Sequence, residues 1–159
     1  MFRAIVSGLI TPILRRPSRY QVAALCYRFA PDDAGTEVLI ITSRDTGRWV
    51  LPKGWPKSGT GAAGTAIEEA WEEAGVKPRS PRLPLIGRYR YQKRLRGGIP
   101  VATDVDVFAL EVVAMFDDFP EAGERQLKWV SPQAAAEAVE EPELQALLRD
   151  FGAQKLPVS

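Results

Sequence analysis

Residues 54–76 read GWPKSGTGAAGTAIEEAWEEAGV. The first half is built from Gly, Pro, Ser and Thr, residues of turns and of close backbone approach. The second half predicts a helix. Thr60 is placed to cap it, residues 61–74 form it, and Gly75 is placed to end it in the left-handed conformation. Ile67, Ala70, Trp71 and Ala74 recur at i, i+3, i+4 and i+7 and make the expected buried face. Inside the helix, EEAWEE (68–73) sets Glu68, Glu69, Glu72 and Glu73 together, with no Lys or Arg nearer than Lys57 and Lys77.

A solvated helix face is the ordinary reading of such a charge run. Three points weigh against it. Glu68–Glu72 and Glu69–Glu73 are like-charge i, i+4 pairs, each costing a few tenths of a kcal/mol, roughly. The acids crowd the C-terminal half, where the helix dipole prefers cations. At the helical repeat, Glu69, Glu72 and Glu73 fall within an arc of about 100°. A divalent cation such as Mg²⁺, which takes carboxylate and phosphate oxygens, would turn this cost into a gain. With Lys53 and Lys57 in the preceding loop, the unit suggests metal-assisted chemistry on a phosphate ester or anhydride.

Outward from this stretch, RYQVAALCYRFA (19–30) and EVLIITS (37–43) predict two strands joined by the PDDAGT turn, a hairpin. RWVL (48–51) is a short strand, and PKGWPKSGTG after it reads as irregular loop. LIGRYRYQKRL (85–95) and IPVATDVDVFALEVV (99–113) form a second hairpin around Gly97-Gly98. QLKWVS (126–131) is a further strand. Ser131 caps a helix with Pro132 at its first position, running to about Phe151 with a break at Pro142. The pattern is a mixed α+β domain.

The chain has 159 residues, 45% hydrophobic and 26% charged, with a net charge of +1. That suits one soluble domain with a real core and gives no global pull toward nucleic acid or membrane. The absence of histidine excludes His-based triads and His–metal sites, so carboxylates, Lys, Tyr or a metal must do any chemistry. A single cysteine, Cys26, cannot form an internal disulfide and reads as a core residue of a cytoplasmic protein. The apolar run near the N-terminus is too short for a membrane span, is broken by Pro12 and lacks a small-residue cleavage pattern. Residues 1–18 therefore read as an extension that packs on the domain or on a second subunit of a homodimer, residues 19–153 as the domain, and 154–159 as a tail.

Segment 54–76 resembles the Nudix (MutT-like) box, G-x5-E-x7-R-E-U-x-E-E-x-G-U, with U aliphatic. Gly54, Glu69, Glu72, Glu73, Gly75 and Val76 match at the right spacing, and Ala70 replaces the aliphatic residue. GRWVLPKGWP before it and YRYQKRL after it look like the diphosphoinositol polyphosphate phosphohydrolase-like branch. The resemblance runs from about Arg19 to Phe151 and implies an α/β/α sandwich with a mixed sheet between helices. Two positions depart: Thr60 stands for the motif's first Glu and Glu68 for its Arg. In the family these two form a supporting ion pair between loop and helix.

By that resemblance Glu69, Glu72 and Glu73 hold Mg²⁺ or Mn²⁺, with a backbone carbonyl of Lys53 or Gly54 as a further ligand. Glu69 or Glu73 is the base. Glu121 and Glu124 are the candidates for an additional acid from outside the box, with a plain surface loop as the alternative. Lys53 and Lys57 are substrate-binding candidates. In strand 86–96, alternation puts Arg88, Arg90, Gln92, Arg94 and Arg96 on one face. These arginines either bind polyphosphate bidentately or pair with acids from 104–143. Trp49, Trp71 and Trp129 read as core, and Trp55 as a loop fastener.

The resulting expectation is a metal-dependent pyrophosphohydrolase acting on a phosphorylated small molecule, either a diphosphoinositol polyphosphate or a dinucleoside polyphosphate. An ADP-ribose or nucleotide-sugar pyrophosphatase is a second reading. A catalytically weakened Nudix domain that binds a phosphorylated ligand is a third, motivated by Thr60 and Glu68.

Overall fold

In VAALC (22–26) side chains alternate between two faces, and both faces are apolar, so this strand needs cover on both sides. A computed structural model, which describes residues 19–94 and 98–154, supplies it. β1 (Arg19–Phe29) lies inside a mixed sheet. One edge pairs in parallel with β7 (Pro100–Met115), from Arg19 opposite Thr103 to Tyr27 opposite Glu111. The other edge pairs antiparallel with β2 (Thr36–Thr42), but only from Tyr27 to Phe29.

Where β1 and β2 diverge, residues 49–54 fill the gap. β3 (Trp49–Val50) pairs with Thr42 and Ile41, and β4 (Lys53–Gly54) pairs with Ala23 and Val22. The Ala24 N–H donates to the Pro52 carbonyl at 2.9 Å between them. The loop expected to be irregular thus begins with two residues of strand in mid-sheet. β5 (Val76–Pro78) and β6 (Leu85–Arg94) share the outer edge of β7, and β8 (Leu127–Val130) covers the outer edge of β2. β5 and the parallel β1–β7 pairing have no counterpart in the sequence reading; both hairpins do.

α1 (Gly61–Ala74) covers Val22, Ala24, Cys26, Leu39 and Ile41 on one face. α2 (Pro132–Ala138) and α3 (Pro142–Ala153) cover Ala23, Leu25, Ile40, Val105 and Val107 on the other. The result is the three-layer α/β/α sandwich. Ser131 Oγ accepts from the Ala134 N–H at 3.0 Å, and the helical segment breaks before Pro142 as expected. No helix among the described residues is long and apolar enough to cross a membrane. The expected extension 1–18 lies outside the described residues.

The helix face needs correction. Ala66, Ala70 and Ala74 are fully buried, Ile67 is only half-buried, and Trp71 is 37% exposed, set edge-on to Phe116. Three alanines at i, i+4 and i+8 allow the helix axis close to the sheet, and a Trp on that line would hold it away. The face turns so that Thr65 and Glu69, not Trp71, are buried, Thr65 against the preceding loop and Glu69 against Gly54. Gly75 does end the helix, at φ 69°, and a Cβ there would fall 2.5 Å from the Phe116 carbonyl oxygen.

Candidate functional site

Glu69 is brought inward by that rotation. It is 7% exposed and packs on Gly54, where a Cβ would come within 2.4 Å of the Glu69 carboxyl carbon. The bare Gly54 backbone leaves the space that this carboxylate occupies beside β4, and a side chain there would force Glu69 to shift. One turn further on, Glu73 Oε1 accepts from the Lys53 N–H at 3.3 Å. Glu73 sits next to Glu69. Burial, opposed by the Arg125 charge and aided by a hydrogen bond to Glu69 and that group's negative charge, holds its carboxyl well above the usual carboxylate range.

These two carboxylates form one wall of a cleft of about 460 Å³. Arg44, Lys53, Lys57, Lys93 and Arg125 line it as well, so the acidic wall shares the cleft with five basic side chains. Burial first, and then repulsion from Lys93, lowers the Lys53 pKa. Arg125 is 6% exposed at its side chain; it bonds Glu121 and donates from Nη1 to the Thr42 carbonyl at 3.2 Å. Glu121 lines the cleft, while Glu124 turns away to bond Arg44 at 2.7 Å. Glu121 is also tied to the helix, its N–H donating to the Glu72 carbonyl at 3.0 Å.

Glu72 has a different partner. Lys57 Nζ lies 3.0 Å from Glu72 Oε2, 3.1 Å from Glu69 Oε2 and 3.2 Å from Glu68 Oε2. Burial works against this ammonium, but hydrogen bonds to Glu72, Glu69 and Glu68 outweigh it and push its pKa up. Lys57, expected to meet substrate, lines the cleft and is at the same time held by the helix carboxylates. The loop is fastened nearby by hydroxyls: the Lys57 N–H donates to Thr65 Oγ1 at 3.0 Å, and Thr60 and Thr65 hydroxyls lie 3.1 Å apart. The Thr60 hydroxyl makes no helix cap, contrary to expectation, because it is engaged with Thr65 and the carbonyls of Lys57 and Gly61.

The donor set therefore fits a divalent cation in part. Glu69 and Glu73 offer adjacent carboxylates beside the bare Gly54 backbone, and oxygen donors of this kind suit Mg²⁺ or Mn²⁺. Among the described residues, no three carboxylates are gathered into a ready metal cage. The three-way convergence expected from helix geometry is broken because Glu72 turns to Lys57.

The arginine strand takes the quieter of its two expected readings. Arg88 Nε bonds Asp106 Oδ1 at 2.7 Å, and Arg90 Nε bonds Asp104 Oδ1 at 2.7 Å, each the directly opposite residue on β7. Neither lines the cleft. The Arg94 side chain and Arg96 lie outside the described residues. Arg44, Lys93 and Arg125 were not singled out in the sequence. Arg125 gave one faint signal, as one of two basic residues in the acidic stretch 104–143.

A family model, NUDIX domain, matches residues 19–151. The chain is 30% identical over 135 residues to Nudix hydrolase 21, chloroplastic, of Arabidopsis thaliana, covering 84% of this chain and 66% of that protein. It is 28% identical over 127 residues to diphosphoinositol polyphosphate phosphohydrolase NUDT4B of Homo sapiens, covering 79% and 65%. The match thus spans just under two thirds of each relative's length. A C. elegans Ap4A hydrolase binary complex shares the fold, with TM-score 0.63 at 22% identity over 85% of this chain and 96% of that one. The box at 54–76, the sandwich built around it and a family match over nearly the whole described chain together make this protein a member of the Nudix hydrolase superfamily.

Proposed function

We propose that this chain is a divalent-metal-dependent hydrolase of phosphoanhydride bonds in a small molecule rich in phosphate, a diphosphoinositol polyphosphate or a dinucleoside polyphosphate. The observation that carries this is the cleft in which the Glu69–Glu73 pair shares the walls with Arg44, Lys53, Lys57, Lys93 and Arg125. Anionic oxygens of a polyphosphate would meet the cations, with Lys53 and Arg125 deepest. Nudix proteins generally use divalent metals. Here Glu69 and Glu73, with a carbonyl of Lys53 or Gly54, would hold Mg²⁺ or Mn²⁺, which supplies charge neutralisation and a more acidic water. Glu69 or Glu73 would serve as the general base toward water, and Glu121 is the further acid that lines the cleft. Arg88 and Arg90 lie outside the cleft lining and pair with Asp106 and Asp104, so phosphate recognition is assigned to the cleft cations instead.

The test is substrate cleavage, with products resolved by ion-exchange chromatography, of diphosphoinositol polyphosphates, diadenosine polyphosphates and ADP-ribose with Mg²⁺ or Mn²⁺. Glu73→Gln is expected to lose about 10²-fold or more in kcat. Glu72→Gln, facing Lys57, should lose less. Metal-independent turnover, or activity unchanged in both variants, would refute the reading. Preference for ADP-ribose would move the assignment to the nucleotide pyrophosphatases. A ligand-binding module without turnover is favoured by one observation, the Lys57 ammonium among three of the carboxylates. Tight calorimetric binding of a panel compound with no hydrolysis in any metal would establish it.

A further inference from the structure

Lys57 begins in the loop and ends among the helix carboxylates. Its ammonium is within 3.2 Å of oxygens from Glu68, Glu69 and Glu72, and both Glu72 oxygens lie at 3.0 Å. Three anions gathered around one cation form a coordination shell, and carboxylate oxygens are the donors a hard divalent ion takes. The cluster runs from the buried Glu69 side chain, 9% exposed, through Lys57 at 32%, to the more open Glu72 and Glu68 at its rim. The lysine backbone is pinned through its N–H to Thr65 on the helix. Glu68, the one acid of the run with no place in a metal platform, finds its partner here.

We propose that Lys57 is a tethered cation that stands in for one divalent ion at this carboxylate wall, and so limits how many ions the site takes up and how tightly. The inference rests on reading the site as a metal site. With the ammonium in place, Glu73 and the part of Glu69 turned toward it remain for an incoming ion. Glu72 becomes available only when the flexible lysine stem swings away. A lysine that merely fastened the loop would have the opposite signature: removing it would loosen residues 55–60 and weaken ion uptake.

The experiment counts bound Mn²⁺ from the loss of the free-ion paramagnetic resonance signal, without substrate, in wild type, Lys57→Met and Lys57→Arg. Lys57→Met is expected to bind one additional Mn²⁺, or to bind it about tenfold or more tightly, because a unit charge in contact with the carboxylates is gone. Lys57→Arg, which keeps the charge, should stay within about threefold of wild type. Unchanged or weaker binding by Lys57→Met overturns the inference while leaving the metal site standing. No Mn²⁺ uptake by wild type or variant overturns both. Should circular dichroism find Lys57→Met unfolded, the double variant Lys57→Met/Glu68→Gln relieves one like charge and carries the same expectation and the same refutation.

Discussion

Gly54→Ala is a small change with a large expected effect at the candidate site. Gly54 does not have a positive φ, so alanine is compatible with its backbone and the effect is purely steric. The new Cβ would lie 2.4 Å from Glu69 Cδ and 2.6 Å from both carboxylate oxygens, where ordinary contact begins at 3.4 Å. The Glu69 carboxylate must therefore retreat by about 1 Å, or β4 must yield by the same amount. Glu69 cannot retreat freely, because Ala66 and Ala70 hold its helix against the sheet and Lys57 holds one of its oxygens. Overpacking of this kind costs about 1–3 kcal/mol. In a domain of this size, that is a fall of roughly 3–10 °C in Tm by calorimetry. A 1 Å displacement of a group at the reacting centre costs about 10²-fold in kcat. Gly35→Ala is the control: its Cβ meets nothing within 4 Å, but φ is +98°, so it should lose stability at unchanged kcat. Gly54→Ala with wild-type Tm and kcat within about threefold would refute the placement of Glu69 against β4.

Two further outcomes follow from the packing. Hydrogen bonds from Arg88 and Arg90 hold the Asp106 and Asp104 carboxyls below the usual range, so their stabilisation is present above the unfolded value, about 3.9, and is lost as pH falls through the folded values. The pair Arg88→Gln/Arg90→Gln should therefore lower Tm slightly at pH 7, by a few °C at most for such exposed partners, and the gap should close on acidification; a gap constant down to about pH 2.5 would refute it. Trp71→Ala should cost about 1–2 kcal/mol in urea unfolding, less than the 2–5 kcal/mol or so for fully buried Leu148→Ala. The reverse order would mean that Trp71 is core after all.

The legible parts of this fold are the local ones. Gly75 placed the C-terminal end of α1, Ser131 the start of α2 and Pro142 the break between α2 and α3, because capping and φ restriction act within a few residues. The parallel pairing of β1 with β7 joins residues 84 positions apart, such as Arg19 and Thr103, and no local signal specifies it. The alternation of Arg88 and Arg90 was readable, but their partners depended on strand register, which sets Asp106 and Asp104 opposite them. The helix face was misjudged for a physical reason: periodicity ranks hydrophobicity, whereas the alanine line Ala66, Ala70, Ala74 was selected by how closely the backbones must approach. That choice brought Glu69 inward, so the same error that overestimated Trp71 hid the burial of the carboxylate.

The departures at Thr60 and Glu68 are best understood together with Lys57. The family motif carries an acid in the loop and an arginine on the helix; this chain carries a cation in the loop and an acid on the helix. With the three remaining glutamates counted, the two arrangements have the same net charge, so the pull on a distant cation is unchanged. What differs is location. The inverted pair brings its positive end to within 3.2 Å of the carboxylates, and hydroxyls of Thr60 and Thr65 fasten the loop. Substituting Thr60 and Glu68 therefore did not strip a support from the box. On the proposal made for Lys57, a charge stands in the site instead, where it would compete for the same oxygens that a metal would use.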